Sequence, residues 1–373
     1  MRVLEFADVI NRHDFIDTIV QYADRERFDV SVCVRTEDSK IAKPEFPDGT
    51  KYQLLPGNRR SDALTTAWRL SRLLREWQID VLHAHHFEQA IVGWLATRFY
   101  RKTKLVIGRH YSNSIYRIQS SIKRRGLLAI EQRINRDAAR IIVPSKMIFD
   151  ILTERQGADA KKVDIVHYGF VPEKYVCPSE SEIAAVREEF AMDGRFVTAN
   201  FSRYHEEKGH RYLVEAVSKL RQTLPEILVL CVGEGDERKI LERQITELGI
   251  GQHIQLVGWR SDALTIMAAS DIVVQSTLQE AFSQVMCEAM WMEKPLVMTD
   301  VSGASDMIKN NENGILIPTS DSEAIVAAVE KLSRDVSLRY SLGSRARKSI
   351  ERRFSISEMI KLYEASFEQS NAD

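Results

Sequence analysis

The stretch FVTANFSRYHEEKGHRYLVEAVSKLRQTLPEILVLCVG, residues 196–233, decides the fold. It opens with a short apolar run, FVTANFS (196–202), and continues through a charged loop into a helical segment that starts around Gly209. EILVLCVG (226–233) then supplies a second apolar run. Short apolar runs of this kind are strands buried on both faces, and an intervening helix of ten or more residues makes them a parallel pair. The same rhythm extends in both directions. RVLEF (2–6), FDVSVCV (28–34), YQLL (52–55), VLHAH (81–85), KLVIG (104–108) and ARIIVP (139–144) precede it, and IQLVG (254–258), DIVVQS (271–276), KPLVMT (294–299) and GILIP (314–318) follow. Helical stretches such as DALTTAWRLSRLLREW (62–77) and EQAIVGWLATRFY (88–100) fill the gaps. The expected fold class is α/β, with two Rossmann-like, doubly wound parallel-sheet domains facing each other across a cleft. The rhythm breaks at VHYGFVPEKYVCPSESE (166–182), which carries two prolines and a glycine. The expected domains are therefore 1–172 and 173–355, with a C-terminal helix over 356–373 packing back on the first.

Length and composition agree. A chain of 373 residues suits two domains of ordinary size, and 44% hydrophobic with 28% charged residues describes a globular protein. The 52 Lys+Arg against 53 Asp+Glu give a formal net charge of −1, so nucleic acid is not expected as a partner. Cys33, Cys177, Cys231 and Cys287 show no CxxC spacing and read as reduced, core-type cysteines rather than a disulfide framework or a zinc site. MRVLEFADVI lacks the pattern of a signal peptide, and no window reaches ~18 uninterrupted apolar residues. A cytoplasmic location is expected.

In doubly wound sheets, ligands sit beyond the carboxyl ends of the strands, and three segments follow strands there. In NFSRYHEEKGH (200–210), Arg203 and Lys208 bracket an acidic loop ahead of a helix. Two cations beside a helix amino terminus suit a diphosphate, although a solvated charged loop has the same composition. In VGEGDERKI (232–240), Gly233-x-Gly235-x-x reaches Arg238 rather than a third glycine, so the dinucleotide fingerprint fails. In QEAFSQVMCEAM (279–290), Glu280 lies in a loop, Ser283 is a natural N-cap, and Glu288 stands inside an apolar helical segment. Eight positions span on the order of 12 Å along a helix. That is too far for a glycosidase pair, whose carboxylates stand roughly 5–9.5 Å apart. The spacing suits two acids holding different parts of one extended ligand.

SRYHEEKG followed by QEAFSQVMCEAMWMEKPLV resembles the paired signature of retaining GT-B glycosyltransferases of sequence family four. VPS (143–145), VHYGFVPEKY (166–175), VGEG (232–235), IQLVGW (254–259) and VSGASDMIKNNENGILIP (301–318) lie in register with the family pattern. The similarity covers most of the chain and is strongest over 196–335. The resemblance implies that Arg203 and Lys208 bind the donor pyrophosphate, that Glu288 takes the ribose hydroxyls, and that Glu280 approaches the donor sugar. It places the amides of Phe282 and Ser283 near sugar and phosphate, the turn at Gly233 beside the donor, and the backbone of Gly258, Trp259 and Arg260 at the base. GRHYSN (108–113) follows a strand where the family often has a histidine at the sugar, which makes His110 the candidate and His83, His85 and His86 its competitors. A metal role for HAHHF carries little weight in this reading, because strand residues alternate between opposite faces. Two departures stand out. Ala281 and Ser283 replace both glycines of the family's Glu-Gly-Phe-Gly, and ADVINRHDF (7–15) contains no glycine where the family commonly has a glycine-rich loop.

What the resemblance implies is a hexosyltransferase-type enzyme that moves a sugar from a nucleotide-sugar donor to an acceptor hydroxyl with retention of configuration. The acceptor would be a sugar, glycolipid or lipid-linked molecule in polysaccharide, glycolipid or glycoconjugate synthesis. No cofactor or divalent metal is expected, since Arg203 and Lys208 supply the cationic charge. A sugar-nucleotide epimerase on the same fold and a non-catalytic nucleotide-sugar-binding protein are the alternatives. The segment 117–140 carries Arg117, Lys123, Arg124, Arg125, Arg133, Arg136 and Arg140 against Glu131 and Asp137, with Leu127, Leu128, Ile130 and Ile134 as an apolar stripe. It is either a core-facing helix with a solvated basic side or a peripheral contact with anionic membrane.

Overall fold

A computed structural model describes residues 1–8, 15–36, 45–57, 60–110, 115, 118–280, 282–301 and 303–372; the side chains of Phe15, Arg60 and Lys174 are also outside the description. The chain divides into two compact units, Met1–Gly169 with Ile356–Asp373, and Phe170–Ser355. In the first unit the strands are β1 (Arg2–Ala7), β2 (Asp29–Arg35), β3 (Tyr52–Leu55), β4 (Val81–His85), β5 (Lys104–Gly108), β6 (Arg140–Val143) and β7 (Val163–Ile165). They form a sheet in the order β3-β2-β1-β4-β5-β6-β7 with parallel pairing throughout. In the second unit β8 (Phe196–Phe201), β9 (Ile227–Val232), β10 (Ile254–Gly258), β11 (Ile272–Gln275), β12 (Leu296–Thr299) and β13 (Ile315–Ile317) form a parallel sheet ordered β10-β9-β8-β11-β12-β13. Among the described residues, helices lie in the connections between successive strands, that between β2 and β3 excepted.

The central strands are apolar because both faces are covered. Val197, Ala199, Leu228, Leu230, Val273 and Val297 are fully or almost fully removed from solvent. The helix His210–Thr223 turns Leu213, Val214, Val217 and Leu220 onto this sheet, and Ile325, Val329 and Leu332 of Ser322–Arg334 join the same core. Each sheet reverses its winding once, between β1 and β4 in the first unit and between β8 and β11 in the second. At such a point the connections leave in opposite directions and open a crevice at the strand ends.

The helix Ile356–Ala372 completes the first unit. Met359, Ile360, Tyr363 and Phe367 enter the core with Phe28, Val30, Val81 and Val106. Glu364 accepts the Asp24 backbone N–H at 2.8 Å and pairs with Arg27 at 3.2 Å. The Phe367 ring meets Phe28 at 6.4 Å and His83 at 5.4 Å. At the junction Phe170 donates its backbone N–H to Phe354 at 2.8 Å and bridges to Ser355.

Three sequence expectations change. β7 has only three residues, too short an apolar run to stand out. Cys33, Cys231 and Cys287 are buried, but Cys177 is exposed in the polar stretch after Phe170 and is not a core cysteine. In the segment 117–140, the helix Ser121–Asp137 buries Ile134, while Leu127 and Leu128 are half-buried and Ile130 is 43% exposed. Two of its charges face inward. Glu131 receives Arg109 at 3.0 Å, and Arg140 sits on β6 in an ion pair with Asp164. Arg117 lies outside the described residues. No helix among the described residues is long and apolar enough to cross a membrane.

Phe367→Ala removes a ring that is 2% exposed. It is expected to lower the unfolding free energy of the first unit by about 3–5 kcal/mol, read as a shift in the urea midpoint; an unchanged midpoint refutes a docked C-terminal helix.

Candidate functional site

At the carboxyl end of β8, Asn200 is fully buried and donates to the Val274 carbonyl at 2.8 Å, which fixes β8 against β11. The chain then turns through Ser202–Lys208. This turn is stitched to the loop after β11: Ser276 Oγ donates to the Lys208 carbonyl at 3.1 Å, and the Leu278 N–H to the Glu207 carbonyl at 2.7 Å. Gly209 sits at φ +65° where a Cβ would lie 2.2 Å from the Ser276 carbonyl, so only glycine lets the two loops close. Lys208 Nζ donates to Glu280 Oε2 at 2.5 Å, with side-chain exposures of 19% and 22%. Arg203 is exposed, and no ion pair with another described residue occupies it. The structure thus gathers Arg203, Lys208 and Glu280 at one reversal point of the second sheet.

The loop after β9 packs against the same turn. Gly233 at φ +152° would place a Cβ 2.0 Å from the Ser202 carbonyl, and Gly235 one 2.3 Å from the Tyr204 carbonyl. Tyr204, fully buried, donates its hydroxyl to the Cys231 carbonyl at 2.6 Å. Both glycines of VGEG are thus required by close backbone approach. The Gly233 N–H reaches the Gly258 carbonyl at 2.9 Å, which brings the end of β10 alongside. Beyond it the Trp259 ring is 74% exposed, and the Arg260 guanidinium is held by Glu189 and Asp262 at 2.7–2.9 Å.

Ser283 caps the helix Gln284–Trp291, its hydroxyl accepting the Met286 N–H at 3.3 Å. Phe282 and Ser283 are 8% and 7% exposed, and Ala281 lies outside the described residues. Glu288, on the second turn, is half-buried, and burial pushes its carboxyl up to about 7. Tyr175 stands beside it: burial and the Glu288 charge raise its hydroxyl to about 12, and Gln284 donates to that oxygen at 2.9 Å.

The first unit carries a separate polar cluster where its own sheet reverses. Glu5 on β1 is paired in register with His83 on β4. Two residues apart on one strand, His83 and His85 share a face, which corrects the alternation argument used against this group. Both reach one carboxylate oxygen: His83 Nδ1 at 2.9 Å and His85 Nε2 at 2.5 Å from Glu5 Oε2. All three side chains are fully buried. Burial opposes the charge on Glu5, but His83 and His85 outweigh it and hold the carboxyl at about 2; burial keeps His85 neutral, down to about 3. His85 Nδ1 meets His110 Nε2 at 3.0 Å, and His110 Nδ1 meets the Tyr168 hydroxyl at 2.5 Å. His86 opens the next helix at φ +64°, a strained conformation for a residue with a Cβ, with its ring 5.3 Å from His110. Of the predicted GRHYSN segment, residues 111–113 lie outside the described residues.

Glu5, His83 and His85 are also the one group among the described residues whose ligand atoms lie close enough together for a metal. Their contacts of 2.5 and 2.9 Å are hydrogen-bonding distances, tighter than the roughly 3.3 Å edge between tetrahedral zinc ligands, so a metal would have to spread them. Sequence reasoning missed Glu5 and Tyr168. The legible signal was His-x-His on a strand beside a lone acid within RVLEF.

Comparison with known proteins bears on both units. A model of Glycosyltransferase Family 4 matches residues 14–174, and one of Glycosyl transferases group 1 matches residues 183–349. The lipopolysaccharide core biosynthesis glycosyltransferase LpsE of Rhizobium meliloti is 31% identical over 159 residues, 43% of this chain and 46% of that protein. The chain thus matches about half the length of that relative. The Escherichia coli UDP-Gal:alpha-D-GlcNAc-diphosphoundecaprenol alpha-1,3-galactosyltransferase is 22% identical over 83% of this chain and 81% of its own. The crystal structure of Anabaena HepE in complex with UDP superposes with a TM-score of 0.81 at 22% identity, covering 99% of this chain and 100% of that one. The two parallel-sheet units are those of the GT-B fold, and with both family models matched in tandem the chain belongs to the group 1 glycosyltransferases.

Proposed function

We propose that the protein transfers a hexose from a nucleotide-sugar donor to an acceptor hydroxyl with retention of anomeric configuration. The reading rests on the Lys208–Glu280 pair, held at 2.5 Å at a sheet reversal beside the exposed Arg203 and the Ser283-capped helix. A diphosphate gains charge-assisted hydrogen bonds from both cations and favourable alignment with the helix amino terminus. Binding would draw Lys208 from Glu280 to phosphate and leave the carboxylate to accept hydroxyls of the sugar. Glu288, one helical turn past the cap, would accept from the ribose, with the backbone of Gly233, Phe282 and Ser283 near the phosphates and that of Gly258, Trp259 and Arg260 at the base. His110 is assigned to the sugar. The UDP of the HepE complex and the UDP-galactose in the Escherichia coli relative's name make UDP-sugars the first donors to test. That relative's name also motivates a lipid-linked acceptor in glycoconjugate synthesis.

Retention follows in this scheme if the acceptor attacks the face from which the diphosphate departs, the leaving oxygen taking the acceptor's proton. The chain then needs no nucleophile of its own and stabilises charge developing on phosphate. Arg203 and Lys208 supply the positive charge a divalent ion would bring, so turnover is expected to persist in chelator. The donor's anomeric coupling should reappear in the product by NMR; an inverted product refutes front-face attack. Lys208→Ala is expected to lower kcat about 10²–10³-fold at saturating donor, and normal turnover removes Lys208 from the reaction. The parent chain's own product separates transfer from an epimerase or a binding protein, neither of which would give a glycosylated acceptor.

The exposed face of Ser121–Asp137 presents Lys123, Arg125, Arg133 and Arg136 with Ile122, 84% exposed. In this scheme it holds a cytoplasmic enzyme against anionic lipid. Co-sedimentation with vesicles should require phosphatidylglycerol; equal recovery with neutral vesicles ends the idea.

Glu288 links the site to pH. Its folded value of about 7 lies above the ordinary 4.5, so the carboxyl stabilises the fold fully below pH 4.5 and loses that contribution as pH rises through 7. The ionised form costs at most about 3 kcal/mol. Glu288→Gln, neutral at every pH, is expected to match the parent Tm at about pH 4 and exceed it by several degrees at about pH 8 without nucleotide; parallel curves refute the burial penalty.

A further inference from the structure

The histidine cluster of the first unit forms a directional chain, and its direction is set at one end. An ionised carboxylate only accepts, so Glu5 Oε2 takes an N–H from His83 Nδ1 and another from His85 Nε2. A neutral imidazole has one N–H. His85 Nδ1 is therefore a lone pair, and the proton at the 3.0 Å contact belongs to His110 Nε2. His110 Nδ1 is in turn the acceptor, and the Tyr168 hydroxyl donates to it at 2.5 Å. Gly108 on β5 is the floor of this arrangement. A Cβ there would lie 2.6, 2.8 and 2.9 Å from nitrogens of His110, His85 and His83, so the rings close on one another only over a residue without a side chain.

The cluster is costly to keep. Glu5 Oε1 and His83 Nε2 are buried without a hydrogen-bond partner among the described residues, and the carboxylate sits on a strand whose other buried residues are apolar. An apolar residue at position 5 would pack as its neighbours Leu4 and Phe6 do and remove that penalty. What an apolar residue cannot do is orient the protons of His110.

We propose that Glu5 is a positioning residue: acting through His85, it fixes His110 as the Nε2–H tautomer and turns the Tyr168 hydroxyl toward His110 Nδ1. The proposal deepens the reading that places His110 at the transferred sugar: both of its ring nitrogens are engaged, so its tautomer decides whether the Tyr168 oxygen at the outer end of the chain turns its lone pairs or its proton toward a ligand. Glu5→Gln tests it, because the amide reverses the polarity. Its NH₂ carries two protons, matching two imidazole lone pairs, while the amide oxygen takes the place where Oε1 already lacks a partner. His85 would then carry its proton on Nδ1, His110 would accept at Nε2 and donate from Nδ1 to Tyr168.

Long-range ¹H–¹⁵N correlation on histidine-labelled full-length protein reads this without substrate, with His110 assigned by its absence in His110→Gln. The parent is expected to show Nε2–H at His110 and Glu5→Gln to show Nδ1–H; the same tautomer in both overturns the proposal. Tyr168→Phe removes the other end of the chain and keeps the test open should Glu5→Gln not fold. It is expected to leave the Nε2–H form in place, and a shift to Nδ1–H would mean that Tyr168 rather than Glu5 sets the tautomer. With a UDP-sugar that the parent turns over, Glu5→Gln is expected to lower kcat at least tenfold while UDP affinity changes less than twofold. A reversed tautomer with unchanged kcat overturns the link to the reaction. Absence of transfer by the parent instead refutes the glycosyltransferase reading and leaves the tautomer result standing.

Discussion

A parallel strand covered on both faces has no water to offer a polar side chain, and the arrangement of both units follows from that constraint. Charged and hydrogen-bonding groups are pushed to the carboxyl ends of the strands, where the winding reverses and the connections part. In the second unit the groups gathered there are Lys208 and Glu280, half-buried and paired, with Arg203 in solvent beside them. In the first unit Glu5, His83 and His85 lie deeper, on the strands themselves, and are joined through one carboxylate oxygen. The two reversal points thus have opposite character. One holds a cation–anion pair that a ligand can exchange; the other holds a closed chain of hydrogen bonds that a ligand would meet only at its outer end.

Glycine makes the first kind of site possible. The loops after β8, β9 and β11 approach so closely that a single methylene at Gly209, Gly233 or Gly235 would overlap a carbonyl oxygen. Close backbone contact fixes the turns that carry Arg203 and Lys208, so both side chains start from a defined base, the first ending in solvent and the second on Glu280. The family's usual glycine at position 283 is a serine here, and it serves a different purpose as the cap of Gln284–Trp291.

Much of the fold was legible in the sequence. YQLL, VLHAH and IQLVG coincide with β3, β4 and β10 residue for residue. β7 escaped because three residues beside two lysines hold no period. Arg203, Lys208, Glu280 and Glu288 announced themselves as charges in loops or in an apolar helix. Glu5 did not, since one acid in a strand reads as a strand edge until the register places His83 opposite it. Alternation along β4 separates His85 from its neighbour but unites it with His83, and the sequence argument had applied the period to the wrong pair. The basic segment misled for a related reason: Glu131 and Arg140 count equally in a charge sum, yet each is spent on an internal partner.

The helix Ile356–Ala372 belongs to the unit that the chain begins, while residues 170–355 form the other unit without interruption. On the ribosome the order of completion is therefore inverted. The first half of the chain emerges early, but Tyr363 and Phe367, which close its core around Phe28 and Val30, follow only after the whole of residues 170–355. The later-made unit has all its strands in hand before the earlier one can seal. Until then the apolar side chains that Tyr363 and Phe367 cover, Phe28 and Val30 among them, and the His83 ring lack that cover.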